Sequence, residues 1–261
     1  MRFPMTAACL VLFAVLPGDA ASEPLFPNSV VSNDLDFIRT DDRGVFSCIG
    51  YEGKTRAEMP DKRGGELMAD GVFSWSAQYK DGTSIEVWVH PDVGSRDAAR
   101  KLALHTAYRV GKLPTFVRSR LNHVVIHEGN ETAFSEDTGR FFVLYSENMA
   151  TRLRNNDLEE TVFHESVHAT LDVPMSASAA WKKAQRADGD FVTGYARDNP
   201  DQEDMAESAL FAWALLIHPG RLPKSVEEKV RTVMPNRLAF FRELFVEGKP
   251  TFYRVGPAKS C

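Results

Sequence analysis

The chain has 261 residues, of which 43% are hydrophobic and 26% charged. That balance belongs to a globular protein with a sizeable buried core, and it excludes a disordered or fibrous chain. The 31 basic and 36 acidic residues give a net charge of -5, and no basic run is interleaved with aromatics, which speaks against a nucleic-acid partner; three cysteines are too few for a disulfide-built scaffold.

Arg2 precedes an apolar run from Ala7 to Leu16, which Pro17 and Gly18 break. Gly18-Asp19-Ala20-Ala21 then offers small residues for cleavage. The pattern predicts a signal peptide over residues 1–21, too short to span a bilayer as a helix. The expectation is a secreted or periplasmic protein with no stable membrane anchor. Cleavage would remove Cys9 and leave Cys48 and Cys261. An oxidising compartment would let those two pair; two free thiols are the other reading.

Residues 22–94 read as a strand-rich region. Its first part, to about residue 43, is polar and turn-rich and reads as an extended arm. Residues 53–65, rich in Gly, Lys, Arg and Glu, read as an exposed loop. Val72 to Tyr79 and Ser84 to Val89 flank Asp81-Gly82, a type I′ hairpin signal. From Ser95, a candidate cap, a helix is predicted to about Val110, ended by Gly111 and Pro114. Val124 to Ile126 and Phe141 to Tyr145 read as short strands, with a polar loop over 128–140. A helix follows from Asp157 to Leu171, its start resembling a capping box of Asp157 and Glu160. Ser176 to Arg186 is predicted helical. Asn199-Pro200 opens another helix, with Pro at its first position, running to about Ile217. Short helices fit 223–233 and 236–246. Strands come first and helices later, which predicts an α+β fold.

The chemistry concentrates in His164-Glu165-Ser166-Val167-His168. Histidines four apart on a helix share one face and can hold a single metal ion. Glu165 is then placed to take the proton of a water that the ion has acidified. Imidazole ligands without thiolates nearby suit zinc. A third ligand is needed. Glu203 and Glu207 are four apart near the start of the next long helix. One of them can bind the metal and the other can accept a ligand histidine's N–H. Alternatively, both simply place negative charge in the first helical turn. Asp172, four residues after His168, either hydrogen-bonds to it or lies on the surface at the helix end. The histidines at 90, 105, 123, 127 and 218 lack partners at ligand spacing. Arg118 to Arg120 read as solvated, and Trp88, Phe211, Trp213, Phe240 and Phe241 as core.

An HExxH helix followed by a helix with a glutamate ligand resembles the gluzincin metallopeptidases. The run Tyr195-Ala196, Asn199-Pro200 and Glu203-Asp204-Met205-Ala206-Glu207 is closer still to the catalytic domain of anthrax lethal factor and its relatives. The Tyr195-to-Glu203 spacing is one residue longer than in that domain, a difference a loop insertion absorbs. The resemblance covers residues 141 to 246. It implies a zincin-like catalytic domain over 95–261, with zinc held by His164, His168 and Glu203. It also implies that Glu207 orients the site and that Tyr195 faces the zinc from the opposite side, able to donate to a developing oxyanion. Phe141 to Tyr145 resembles the edge strand on which such enzymes lay a peptide; an internal strand is the other reading. The expected function is a secreted zinc-dependent peptidase acting on a peptide or protein substrate. The rivals are a non-catalytic zincin-like binding or toxin component and a zinc hydrolase of a non-peptide amide. Residues 22–90 would then be an inhibitory segment or a substrate-binding one.

Overall fold

A computed structural model describes residues 23–252 and Cys261, so the predicted signal peptide lies outside the described residues. The strands are β1 (Phe46–Glu58), β2 (Met68–Tyr79), β3 (Ser84–Val89), β4 (His123–His127), β5 (Phe134–Glu136) and β6 (Phe141–Tyr145). They form one sheet in the order β1-β2-β3-β4-β6-β5. The β1–β2 and β2–β3 pairs are antiparallel hairpins, β3–β4 and β4–β6 are parallel, and β5 runs antiparallel on the far edge. The helices are α1 (Arg96–Val110), α2 (Thr115–Arg118), α3 (Ser146–Asn155), α4 (Leu158–Leu171), α5 (Ala179–Asp188), α6 (Gly194–Asp198), α7 (Asp204–Ile217), α8 (Lys224–Val233) and α9 (Pro235–Phe245). This is the mixed α+β architecture expected of a zincin-like fold.

The main core lies between one sheet face and the helices. Ile85, Val87, Val89, Phe142 and Leu144 meet Val162, Phe163, Val167, Leu210 and Phe211 there. The opposite sheet face carries a smaller cluster, including Val125, Val143 and Tyr145. Residues 59–67 cross it: Lys62 donates its backbone N–H to Tyr145 Oη (3.1 Å), and Tyr145 Oη donates to Asp61 (2.9 Å). β6 is therefore buried on both faces, which explains its unbroken apolar sequence.

Several local expectations change. Phe141–Tyr145 is an internal strand; the free edge belongs to β5, inside the segment read as a polar loop. Residues 53–58 extend β1 rather than forming a loop. The Asp81-Gly82 turn is not type I′, since among the described residues only Arg140 and Asn156 are non-glycines with positive φ. Asp157 precedes α4 without capping it, because its side chain pairs with Arg152 (2.8 Å). Residues 200–203 form a turn, so α7 starts at Asp204 rather than at Pro200. Arg118 is buried, not solvated: it pairs with Asp81 and donates to Thr83 Oγ1 (2.8 Å). The predicted arm is no free extension either. It makes a turn of 3-10 helix at Val30–Ser32 and buries Val30, Phe37 and Ile38 in the main core. Its Phe26 carbonyl accepts from Gly194 N (2.7 Å). A Cβ at Gly194 would stand 2.4 Å from the Pro27 carbonyl oxygen, so only glycine permits this approach.

Buried ion pairs anchor the helices that matter for the site. Glu159 of α4 pairs with Arg109 (3.1 Å) and Lys112 (3.0 Å). Asp204, the first residue of α7, pairs with the fully buried Arg237 of α9 and accepts from Gln185 of α5 (2.9 Å). Arg237 also pairs with Asp188 (3.0 Å). Removing one partner of such a pair strands a buried charge, at a cost of about 3–5 kcal/mol.

Cys48 of β1 and Cys261 form a disulfide across a sequence separation of 213. Closing so long a loop restricts the unfolded chain, and Cys48→Ser is expected to cost about 2–5 kcal/mol. The midpoint of denaturant unfolding reads this, and an unchanged midpoint would contradict it.

Burial pushes the Glu160 carboxyl from its ordinary 4.5 up to about 7, against the Ile38 amide that bonds it. Neighbouring Glu159 and Asp157 push the same way. The fold thus holds this proton more tightly than the unfolded chain. Glu160's contribution is full below about pH 4.5 and is lost as the pH rises through about 7. Glu160→Gln is expected to melt like the wild type at pH 4.5. By pH 8 it should be more stable by about 3 kcal/mol. A gap between the two proteins that does not widen with pH would refute the assignment.

Candidate metal centre

α4 contains neither Gly nor Pro, and Asn156, in the left-handed conformation (φ 59°), turns the chain sharply from α3 into it. Its fourteen residues are almost all buried, so its orientation is set by packing on both sides. His164 and His168 lie one turn apart, ring edge to ring face, on the side toward the start of α7. Glu203, the residue before α7, reaches them from the other side.

The three ligand atoms form a small triangle. His164 Nε2 and His168 Nε2 are 3.0 Å apart, and Glu203 Oε2 lies 3.5 and 3.2 Å from them. Ligands about 2.0–2.1 Å from a tetrahedral zinc stand about 3.4 Å from one another. Glu203 Oε2 is buried and accepts no hydrogen bond. A bare carboxylate oxygen facing two imidazole nitrogens is costly to bury unless positive charge sits among them. His164, His168 and Glu203 are the one group of this kind among the described residues. The donor set, two imidazoles and one carboxylate with no thiolate, suits Zn2+.

The surroundings fix the ligands. α4 ends in a π-helical turn, Asp172–Ser176, that brings Asp172 under His168. His168 Nδ1 and Asp172 Oδ2 are 2.6 Å apart, so Nδ1 holds the proton and Nε2 is left to bind metal. Asp172 is therefore a partner of the histidine rather than a surface residue. Burial opposes charge on His168, yet Asp172 and Glu203 outweigh it and push the imidazole up to about 10. The same two histidines hold Glu203 well below the usual carboxylate range despite its burial. The pocket is thus built to hold positive charge.

Glu207 lies beneath His164, with Oε1 3.8 Å from Nδ1, beyond hydrogen-bond reach. The N-terminal arm holds it: Ser29 Oγ donates to Oε1 (2.5 Å) and the Val30 N–H to Oε2 (2.7 Å). Tyr195 of α6 donates to Glu203 Oε1 (3.0 Å) from an exposed position. Burial and the nearby Glu203 push its hydroxyl up to about 12, so it stays a donor at neutral pH.

Glu165 is half-buried beside the ligands. It lines a cleft of about 680 Å3 with both histidines, Glu203, Tyr195 and residues 133–137 around β5. A His-His-Glu cluster with a carboxylate beside it, open to a cleft, is the equipment of metal-assisted hydrolysis. It matches a gluzincin-like zinc-binding motif. Of the residues singled out from the sequence, His164, Glu165, His168, Asp172, Tyr195 and Glu203 line the cleft, while Glu207 is buried behind His164. Two participants had no sequence signal strong enough to find them. Ser29 sits in a turn-rich arm, and Ser135 sits on a strand of only three residues.

Comparison with models of known protein families, with curated proteins and with solved structures gives no match.

Replacing a partner of a ligand histidine typically lowers metal affinity 10–100-fold. Asp172→Ala is expected to weaken zinc binding by that order, and Glu207→Ala, whose carboxylate lies near His164 without bonding it, by less, measured by competition with a chromophoric chelator. Ser29→Ala should act in the same direction through Glu207, by less. Wild-type affinity in both carboxylate variants would contradict the roles given to them.

Proposed function

We propose that this chain is a zinc-dependent metallopeptidase that hydrolyses peptide bonds and is related in its site to the catalytic domain of anthrax lethal factor. The observation that carries the reading is the triangle of His164, His168 and Glu203, with Glu165 beside it and facing a cleft. His164 and His168 would hold the metal through Nε2, and Glu203 through Oε2. A zinc ion so held lowers the pKa of water and polarises a carbonyl.

The remaining work falls to side chains. Glu165 takes the proton of the attacking water and later gives it to the leaving nitrogen. Asp172 keeps His168 in the metal-binding tautomer. Tyr195 turns its hydroxyl from Glu203 toward the oxygen on which charge develops. β5 offers an open edge along which an extended peptide can add by backbone pairing, so a peptide suits the cleft better than a compact amide. The Cys48–Cys261 disulfide supports a secreted or periplasmic site of action, since such bonds persist in oxidising compartments.

Metal analysis is expected to give about one zinc per chain, lost in His164→Ala and kept in Glu165→Gln. Cleavage across a mixed peptide library should fall by on the order of 10^2–10^4-fold in Glu165→Gln. Cleavage at the wild-type rate in that variant would refute the mechanism. Zinc without turnover of any peptide would point instead to a binding component that retains the fold.

A further inference from the structure

Glu165 carries the proton in the proposed reaction, and its carboxylate sits on a side chain with three rotatable bonds. Among the described residues, the side chain that holds it is Ser135, the middle residue of β5. Ser135 Oγ is 2.6 Å from Glu165 Oε2 and 2.8 Å from the Glu165 backbone oxygen. A hydroxyl has one proton to give, and the charged carboxylate is the stronger acceptor. Oε2 is thereby fixed and Oε1 is left for water.

The strand register explains the aim. Ser135 pairs with Phe142, whose side chain lies in the core on the α4 side of the sheet. Paired residues in an antiparallel ladder point to the same face, so Ser135 is turned toward α4 while Phe134 and Glu136 point away. One strand therefore borders the cleft and also aims the base.

We propose that Ser135 is a positioning residue: its hydroxyl ties the Glu165 carboxylate to the edge strand, so that the strand that receives the substrate also sets the base. This rests on the hydrolase reading above. Holding a flexible base in its working geometry contributes about tenfold in rate.

The test uses the zinc-loaded full chain as wild type, Ser135→Ala, Ser135→Thr and Glu165→Gln. The first readout is kcat and KM on a cleaved peptide. The second needs no turnover: calorimetric binding of acetohydroxamate, a zinc-directed probe whose hydroxyl proton must pass to the base. Ser135→Ala is expected to lower kcat about tenfold with KM, zinc content and melting temperature unchanged. It should also weaken acetohydroxamate about tenfold, and Ser135→Thr should restore both. Wild-type hydroxamate affinity in Ser135→Ala, beside a weakened Glu165→Gln, would overturn the proposal and leave the hydrolase reading standing. Loss of zinc or of melting temperature in Ser135→Ala would mark a structural role and overturn it as well. Full affinity in Glu165→Gln would remove the base itself, and the positioning role with it. If no peptide is cleaved, the hydroxamate series alone decides the role of Ser135.

Discussion

The site depends on the start of α7 being fixed against α4. Two imidazoles on one helix make only half of a metal centre, and the carboxylate that completes it lies 35 residues further along the chain. Glu203 is held there because the next residue, Asp204, is buried in a pair with Arg237 and bonded by Gln185. A buried ion pair of this kind adds little net stability over an apolar contact, but it strongly penalises any other register. The three ligand atoms can therefore stand within 3.5 Å of one another.

Around that triangle the charges are layered. Glu203 faces the histidines directly, Asp172 supports His168, and Glu207 lies beneath His164. Glu203 is in turn tethered by Tyr195 and Glu207 by the arm. Like charges so close would repel in the absence of a central cation, and that mutual cost is what gives the pocket its demand for one. The arm is thus part of the metal centre, although it lies more than 100 residues from α4 in the chain.

The cleft is shaped by the sheet. β6, buried on both faces, carries β5 at its free edge, and residues 59–67 cover the outer face. The edge strand is only three residues long, which leaves little free edge for unwanted pairing with other chains while keeping one edge open beside the metal centre.

The sequence by itself determined the chemistry and most of the longer elements, while α3, α6 and β5 were not legible in it. The four-residue spacing of His164 and His168, Glu165 between them, and the uninterrupted stretch from Asp157 to Leu171 required a helix with a metal-binding face, because helical periodicity is a local property. The same holds for the α+β order of strands and helices; the paired glutamates were placed near the start of α7, although Glu203 lies just before it. What only the tertiary structure decided was who meets whom. That Glu203 reaches the corner of the triangle that the resemblance implied rests, in the structure, on the Asp204–Arg237 pair. That β5 rather than β6 is the edge follows from strand order. That Ser29 holds Glu207, that Ser135 holds Glu165 and that Arg118 is buried follow from contacts between segments far apart in the chain. Such contacts leave no periodic trace in the amino-acid order, because they are selected by the free energy of the whole packed core rather than by any one stretch of it.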